Sequence, residues 1–328
     1  MTLLTTEGFE TRAAKDGWAY NTLAYVAGRY GGSAFSTGNC TYALPTPTDV
    51  VVIRFALLIP PAPTLRSVVE FYDAATANYQ CRVLLRADRY VDLQRGATTV
   101  GSSSAPVGAG GDWIWVEVKT RVNDVTGFME VRVNGAVVAS FVGDTVNSTV
   151  AGANVGITSL LLNGVNSSAI DDVYVSDTAG AAPFNDYLND VQVETLVPNG
   201  NGASSQFVGS DGNSVDNYLL VDELPAVDSD RVESSTVGQR DVYTFTDPAA
   251  GVGEVLAVMP CVAVSKTVAG PANIKIVDRL AGGVERVSAA KPVLNLGWRT
   301  AGPYVADASG AAWTPATVAS SQFGVEVA

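Results

Sequence analysis

The sequence predicts an all-β chain of two sandwich-like domains, and three observations carry that prediction. Residues 112–145 read as alternating strands joined by short turns. The chain has 32 glycines and only 16% charged residues, and with many β-branched residues this is typical of strands and turns. No window has the 3.6-residue periodicity of an amphipathic helix several turns long. The 328 residues are enough for two domains that each bury a core.

The clearest strands lie within residues 112–145. Ile114, Val116 and Val118 alternate with polar or aromatic residues, and Met129, Val131 and Val133 repeat the pattern on the next segment. Period-2 alternation is typical of strands with one buried face. Residues 124–127 supply the reversal between the two strands. Asn134-Gly135 predicts a second hairpin, because both residues tolerate positive φ.

Turn residues divide the rest of the chain into further strands and two domains. We expect strands at 50–59, 66–72, 80–86 and 90–94, a loop over 101–111, and later strands at 191–196, 241–246, 253–266, 272–278 and 292–300. The small, uncharged segment 179–184 ends near a proline and predicts a linker. The domains are then residues 1–178 and 185–328. The alternating end of the second domain, residues 324–327, is expected to form an edge strand.

Motifs in the first domain resemble the laminin-G-like or concanavalin-like β-sandwich family. They are the W-x-x-V-x-V…D-x-x-G…V-x-V-N-G pattern of residues 113–135, the segment AIDDVYVSD at 169–177, and GFE at 8–10. The resemblance implies a jelly-roll sandwich, followed here by a second acidic β-sandwich-like domain. It favours binding or scaffolding over catalysis.

The second half resembles a family of structural proteins from tailed bacteriophage virions. The resemblance rests on VETLVPNGNGASSQF at 193–207, NYLLVDELP at 217–225, RDVYTFTD at 240–247 and GAAWTPATVASSQFGVEV at 310–327. It implies a non-enzymatic virion component, a tail- or fibre-associated subunit or a decoration subunit, made in the host cytoplasm. Its partners would be other virion proteins and copies of itself in a homo-oligomer. A carbohydrate-binding adhesin that reads a host surface glycan is the alternative, and a polysaccharide depolymerase is a further one.

Composition excludes several classes of function. The chain has no histidine, which removes the Ser-His-Asp triad, Cys-His nucleophiles and His-ligated zinc. Residues 181–328 carry 17 acidic and 8 basic side chains, within a whole-chain net charge of −13, so nucleic acid is not expected as a partner. The longest apolar run, residues 50–61, contains Arg54 and is too short for membrane insertion. The three cysteines are expected to be free thiols.

One strand face combines aromatic and polar side chains. Trp113, Trp115 and Glu117 lie opposite the apolar set on the first strand, and Phe128, Arg132 and Asn134 occupy the matching face of the next. Flat rings stack on sugar C–H faces while polar groups bind hydroxyls, so this face is a candidate glycan site. The interpretation we prefer is that the face packs under a loop or a neighbouring subunit, and the glycan site is the alternative.

Asp171 and Asp172 are the other candidates. Neighbours in a strand point to opposite faces, so these two residues are not expected to act as a catalytic pair. The resemblance implies that one of them anchors nearby backbone through hydrogen bonds, with a calcium ion as the alternative partner. Carboxylates are hard ligands that suit calcium, and no other cofactor is expected.

Glycosidase chemistry does not match the strand patterns. A retaining enzyme needs two carboxyl groups about 5–5.5 Å apart, which acids at i and i+2 on one strand face supply. Glu117 is followed two residues later by Lys119, and Glu130 by Arg132. The sequence therefore predicts no enzymatic activity.

Overall fold

The computed structural model describes residues 2–73, 78–147, 149, 156–164, 168–267 and 269–328. The chain forms two compact units. The first unit contains residues 1–9 and 17–193, and the second contains residues 10–16 and 194–328. The segment 185–193, which the sequence analysis placed at the start of the second domain, therefore belongs to the first unit.

The regular elements in the described residues of the first unit are all strands. Its strands are β1 Leu3–Glu7, β2 Trp18–Ala27, β3 Ser33–Thr48, β4 Val50–Leu58, β5 Arg66–Asp73, β6 Cys81–Leu85, β7 Val91–Arg95, β8 Thr98–Ser102, β9 Trp113–Arg121, β10 Phe128–Val133, β11 Ala136–Val142, β12 Ile157–Asn163 and β13 Ala169–Asp177. They form one 13-stranded sheet whose main path is β11-β10-β9-β4-β13-β3-β12-β5-β6-β7-β8. The path folds back on itself, so that Gly101 of β8 lies beside Ser140 of β11. Two layers of one continuous sheet enclose the core, which is the sandwich predicted from the sequence.

The core of the first unit lies between these layers. Ile53, Phe55 and Leu57 of β4 point into it and are almost completely buried. The alternating sets predicted on β9 and β10 join them, since Val118, Met129 and Val131 are also inaccessible to solvent. Each such side chain contributes about 1.5–3 kcal/mol by leaving water. The predicted face assignment of this hairpin is confirmed.

The turns of the hairpins follow the predicted chemistry. Asn134 and Gly135 both have positive φ, 50° and 82°, and they join β10 to β11. Gly127 precedes β10, where an added Cβ would lie 2.3 Å from Thr145 Oγ1 and 2.5 Å from two carbonyl oxygens. Only glycine fits there, because real Cβ atoms do not approach so closely.

The second unit is also almost entirely β. Its elements are β14 Pro198–Ser205, β15 Val208–Gly209, a 3-10 helix Asn217–Leu220, β16 Val232–Glu233, β17 Arg240–Phe245, β18 Cys261–Val264, β19 Asn273–Arg279, β20 Glu285–Val287, β21 Lys291–Pro292, β22 Gly297–Thr300, α1 Pro315–Ser320 and β23 Gln322–Val327. Six strands form a sheet along β14-β17-β23-β19-β20, with β21 paired to β19. Its largest core cluster comprises Phe207, Ile274, Ile276, Val293, Ala301 and Val325. The all-β prediction is confirmed for both units.

Four strand predictions in the second half were wrong. Only Cys261–Val264 of the segment 253–266 forms a strand, and the strand expected at 292–300 is divided into β21 and β22. β23 pairs with β17 on one side and β19 on the other, so the chain's last strand is interior and not an edge. The alternation of residues 324–327 is typical of an edge strand. Gly324 nevertheless allows the backbone of β17 to approach closely, because a Cβ added there would lie 2.1 Å from the carbonyl oxygen of Asp241. Residues 191–196 form no strand, and Val193 N donates to the Asp172 carboxylate instead of to a neighbouring strand.

The three cysteines are free thiols, with Cys40 and Cys81 buried. No helix in the described part of the chain is long and apolar enough to cross a membrane.

Candidate functional site

The outer face of strands β10, β9, β4 and β13 carries the candidate site. Strand register places Arg132 opposite Glu117, Glu117 opposite Arg54, and Arg54 opposite Tyr174. This row of alternating positive and polar side chains crosses four strands. Arg54, Glu117 and Tyr174 are almost completely inaccessible, although the strands' other face already fills the core. Another part of the chain must therefore cover this face.

The cover is residues 186–193, which we name the strap. Tyr187 lies with its ring 3.8 Å from the Arg132 guanidinium and donates its hydroxyl hydrogen to Glu130 Oε1 at 3.0 Å. Lys119 pairs with Asp186 at 3.2 Å. These contacts hold the first residues of the strap against β9 and β10.

Side chains of the face accept hydrogen bonds from backbone N–H groups of the strap. Leu188 N donates to Tyr174 Oη at 2.9 Å, and Asn189 N donates to Glu117 Oε1 at 2.9 Å. Tyr174 also donates to Glu117 Oε1, at 3.0 Å. These hydrogen bonds to side chains take the place of the backbone hydrogen bonds that a neighbouring strand would form.

Asp190 is the most strongly held residue of the strap. Its carboxylate accepts two hydrogen bonds from Arg29, at 2.6 and 2.8 Å, and one from Arg54 at 2.5 Å. Arg54 also donates to the carbonyl oxygen of Asp172 at 2.7 Å. Two arginines therefore converge on one carboxylate in a bidentate arrangement that favours strong, oriented binding.

A β-bulge brings Asp171 and Asp172 together. The pairing of β13 with β4 shifts register between Asp171 and Tyr174, and Asp172 has a positive φ of 50°. Asp171 accepts from its neighbour's backbone N–H and from Arg29 N, both at 2.8 Å, and Asp172 accepts from Val193 N at 2.8 Å. Strict alternation does not hold at this bulge, so the expectation of opposite faces was wrong here. Both carboxylates bind backbone.

The loop that carries Arg29 depends on a glycine. A Cβ at Gly28 would lie 2.4 Å from Gly31 O and 2.6 Å from Asp171 Oδ2. A side chain at position 28 would therefore displace the Asp171 carboxylate that orients the Arg29 backbone.

Burial and charge shift the ionisation of this cluster in opposite directions. Burial, followed by the charge of Asp172, raises the pKa of Asp171 to about 7. Burial also raises the pKa of Glu117 and of Asp172, although their hydrogen bonds act the other way. Burial alone would raise the pKa of Asp190, but Arg29 and Arg54 hold it below its usual value. Asp190 is therefore the firmly ionised member of the cluster.

Several buried polar atoms of this face have no hydrogen-bond partner within the described structure. They are Arg54 Nε, Glu117 Oε2, Asp172 Oδ2 and Trp115 Nε1. Buried polar groups of this kind are normally paired with protein or water. The cluster therefore offers unused donors and acceptors for a small polar molecule.

The edge of the face beyond the strap is more open. Trp113 and Trp115 are half-buried and Asn134 is exposed. Asn134 Oδ1 accepts from Trp115 N at 3.0 Å. The Arg29 guanidinium lies 4.8 Å from the Tyr30 ring centroid and 6.0 Å from that of Trp115, so both rings are close to it. The Tyr30 side chain is 54% exposed.

The structure brings together most of the predicted site residues. Trp113, Trp115, Glu117, Arg132 and Asn134 share the face. Phe128 lies on it too, but it pairs with Arg121 at the far end of β10. Sequence reasoning did not identify the residues Arg29, Tyr30, Arg54, Tyr174 and Asp190.

Only one of these missed residues had a signal in the sequence. Arg54 interrupts an otherwise apolar strand, and a charge in such a position needs a partner.

Within the described residues, no three His, Cys, Asp or Glu side chains form a group that could hold a metal ion. The predicted calcium site at Asp171 or Asp172 stays a prediction.

Comparisons with known proteins find likeness in solved structures only. No family model and no curated protein matches the chain. A Bacillus subtilis protein of unknown function with a galectin-like fold is 11% identical and has a TM-score of 0.36, over 53% of this chain and 96% of that one. The carbohydrate-binding module CBM66 from Bacillus subtilis is 11% identical, with a TM-score of 0.31, over 49% and 97%.

A third solved structure is the binding domain of botulinum neurotoxin DC, in complex with SialylT. It is 10% identical with a TM-score of 0.33, and the match covers 48% of this chain but only 42% of that one. At these identities and TM-scores, the likenesses assign no function. The predicted virion role stays a prediction.

Proposed function

We propose that the first unit binds carbohydrate at the open edge of the β9–β10 face. The observation that carries the proposal is the grouping of three aromatic rings with polar side chains at one edge. Tyr30, Trp113 and Trp115 lie there beside Arg29 and Asn134. Aromatic rings with a few convergent polar groups are what a sugar needs, because stacking and hydrogen bonding act together.

Each group has a distinct part in the proposed binding. The exposed Tyr30 ring supplies an accessible stacking surface, and the half-buried Trp115 fixes a second ring next to it. Asn134 uses its Oδ1 to bind the Trp115 backbone, which orients its amide nitrogen. That nitrogen and the Arg29 guanidinium would donate to sugar hydroxyls.

The alternative of docking to another protein uses the same rings. In that case the wild-type protein would have no measurable affinity for sugar, and replacing the rings would weaken assembly with the partner protein. The strap covers Glu117 and Arg54, so either partner would meet the open edge first.

The test is binding to polysaccharides by affinity electrophoresis. We expect retardation of the protein in gels that contain xylan or polygalacturonate, and its loss in Trp115→Ala and Tyr30→Ala. Trp298→Ala is the matched control, since Trp298 is also half-buried but lies in β22 of the second unit. Equal retardation of all variants, or none of the wild-type protein, would contradict the proposal.

A further inference from the structure

We infer that Arg29 and Arg54 form a carboxylate-binding site for acidic sugars, and that Asp190 of the strap is its built-in occupant. The inference rests on the proposed function and gives its substrate class. It adds a regulation as well, because an acidic sugar would bind by replacing the strap's own carboxylate.

The geometry of Asp190 is that of a bound ligand. Arg29 holds both of its oxygens, Nη1 to Oδ1 at 2.6 Å and Nη2 to Oδ2 at 2.8 Å, and Arg54 Nη2 adds a bond to Oδ1 at 2.5 Å. Planar bidentate recognition of this kind is independent of whether the carboxylate belongs to an aspartate or to a uronate. The site therefore recognises a carboxylate and not a particular residue.

The site has one fixed wall and one open side. The Arg54 side chain is completely buried, the Arg29 side chain is 12% exposed, and the Asp190 side chain is 32% exposed. Asp190 thus approaches from the solvent side, where a ligand would also enter. The buried Arg54 needs a carboxylate at all times, because an unpaired buried charge is strongly unfavourable.

The surroundings of the site fit a sugar ring that carries a carboxylate. The Arg29 guanidinium lies within 6.0 Å of the centroids of the Tyr30 and Trp115 rings, so a sugar whose carboxylate reached Arg29 would lie close to both. The unpartnered Arg54 Nε, Trp115 Nε1 and Glu117 Oε2 lie on the same face, where they would bond to ring hydroxyls. Charge recognition and stacking therefore meet at one place.

The Arg95–Asp144 ion pair differs from the Arg29 and Arg54 site in the number of arginines and in their burial. Arg95 pairs with Asp144 at 2.5 Å, with side chains 26% and 37% exposed. This pair has a single arginine and no buried partner, so removal of Asp144 leaves a solvated guanidinium. Removal of Asp190 leaves two convergent arginines, one of them buried.

The experiment is chemical rescue of Asp190→Ala with acetate. We expect the variant to have a lower Tm than the wild-type protein, and about 100 mM sodium acetate to raise it by roughly 3 °C more than sodium chloride of equal ionic strength. Asp144→Ala is the matched control and should show no such difference. Asp190→Ser also leaves room for acetate and serves as the second variant if Asp190→Ala does not fold, whereas Asp190→Asn keeps the side-chain volume and should show no acetate response.

The sugar arm uses trigalacturonic acid and the neutral xylotriose in calorimetric titrations. We expect Asp190→Ala to bind trigalacturonic acid about tenfold more tightly than the wild-type protein, because the competing occupant is gone. Xylotriose affinity should be unchanged. The same acetate response in both alanine variants, or no gain in trigalacturonic acid affinity, would overturn the inference.

The two proposals fail in different ways. If xylotriose binds through Trp115 but acetate rescues nothing, the carboxylate site is wrong and carbohydrate binding stands. If acetate rescues Asp190→Ala but neither sugar binds, the two-arginine site is real while the proposed function, and with it the sugar assignment, is wrong.

Discussion

Two ionic clusters in this molecule use the same residue types and differ in burial. In the first unit Arg54 is completely buried and pairs with Asp190, within 3.9 Å of Asp172. In the second unit Arg240 is 29% exposed and pairs with Glu285 and Glu326 on the surface of the sheet. The chemistry is alike, but the central arginine is inaccessible to solvent in the first cluster and partly exposed in the second.

The first cluster is needed to hold a chain segment in place, whereas the second lies on strands that are already held by their backbone hydrogen bonds. The strap is held by its charges, because Arg54 and Glu117 would be buried and unsatisfied without it. The Arg240 cluster lies across strands β17, β23 and β19 that already pair through their backbones. Its loss leaves the ladder intact.

The largest effect is expected from Arg54→Ala. It leaves Asp172 buried without its nearest cation and Asp190 with Arg29 alone, and breaking a buried pair in this way costs about 3–5 kcal/mol. Urea denaturation measures the free energy of unfolding of the first unit. A loss below about 1 kcal/mol, typical of a surface pair, would remove the distinction between the clusters.

A smaller effect is expected from the pH dependence of Asp171. Its pKa is raised from 3.8 to about 7, so between these values the folded state binds more protons than the unfolded state. Wild-type stability therefore falls as pH rises from about 4 to about 7, by about 3 kcal/mol relative to Asp171→Asn. Unfolding curves of both proteins at the two ends of this range measure the difference. Parallel pH profiles would show that Asp171 is ionised like a solvated carboxylate.

The smallest effect is expected from Arg240→Ala. Glu285 is partly exposed and keeps Arg279, and the largely buried Glu326 keeps Lys275 at 2.9 Å, so no carboxylate loses its last cation and the loss should be below about 1 kcal/mol. Salt should reduce it further, because screening acts on exposed charges. If Arg240→Ala lowers the free energy of unfolding as much as Arg54→Ala does in the same denaturation experiment, burial does not explain the difference between the two clusters.

The sequence predicted the parts of the site that local patterns determine. Alternation on β9 and β10 gave the face of Trp113, Trp115 and Glu117, and Asn134-Gly135 gave the turn beside it. These features depend on neighbours within about twenty residues, where side-chain period and turn chemistry decide the outcome.

The strap could not be predicted in the same way. Residues 186–193 have no ladder and no periodicity, and their bonds reach residues as distant in sequence as Arg29 and Arg54. The bulge at Asp172 likewise follows from tertiary contacts, since a regular strand would have separated the two aspartates. The interior position of β23 depends on two partners that its own residues do not specify.

The most direct test of the account is ¹⁹F NMR of protein labelled with 5-fluorotryptophan. The chain has five tryptophans, of which Trp113 and Trp115 lie on the proposed site. Titration with trigalacturonic acid should shift these two resonances saturably and leave Trp18, Trp298 and Trp313 unchanged. Five unmoved resonances, or shifts confined to the other three, would contradict the proposal that this face binds acidic sugars.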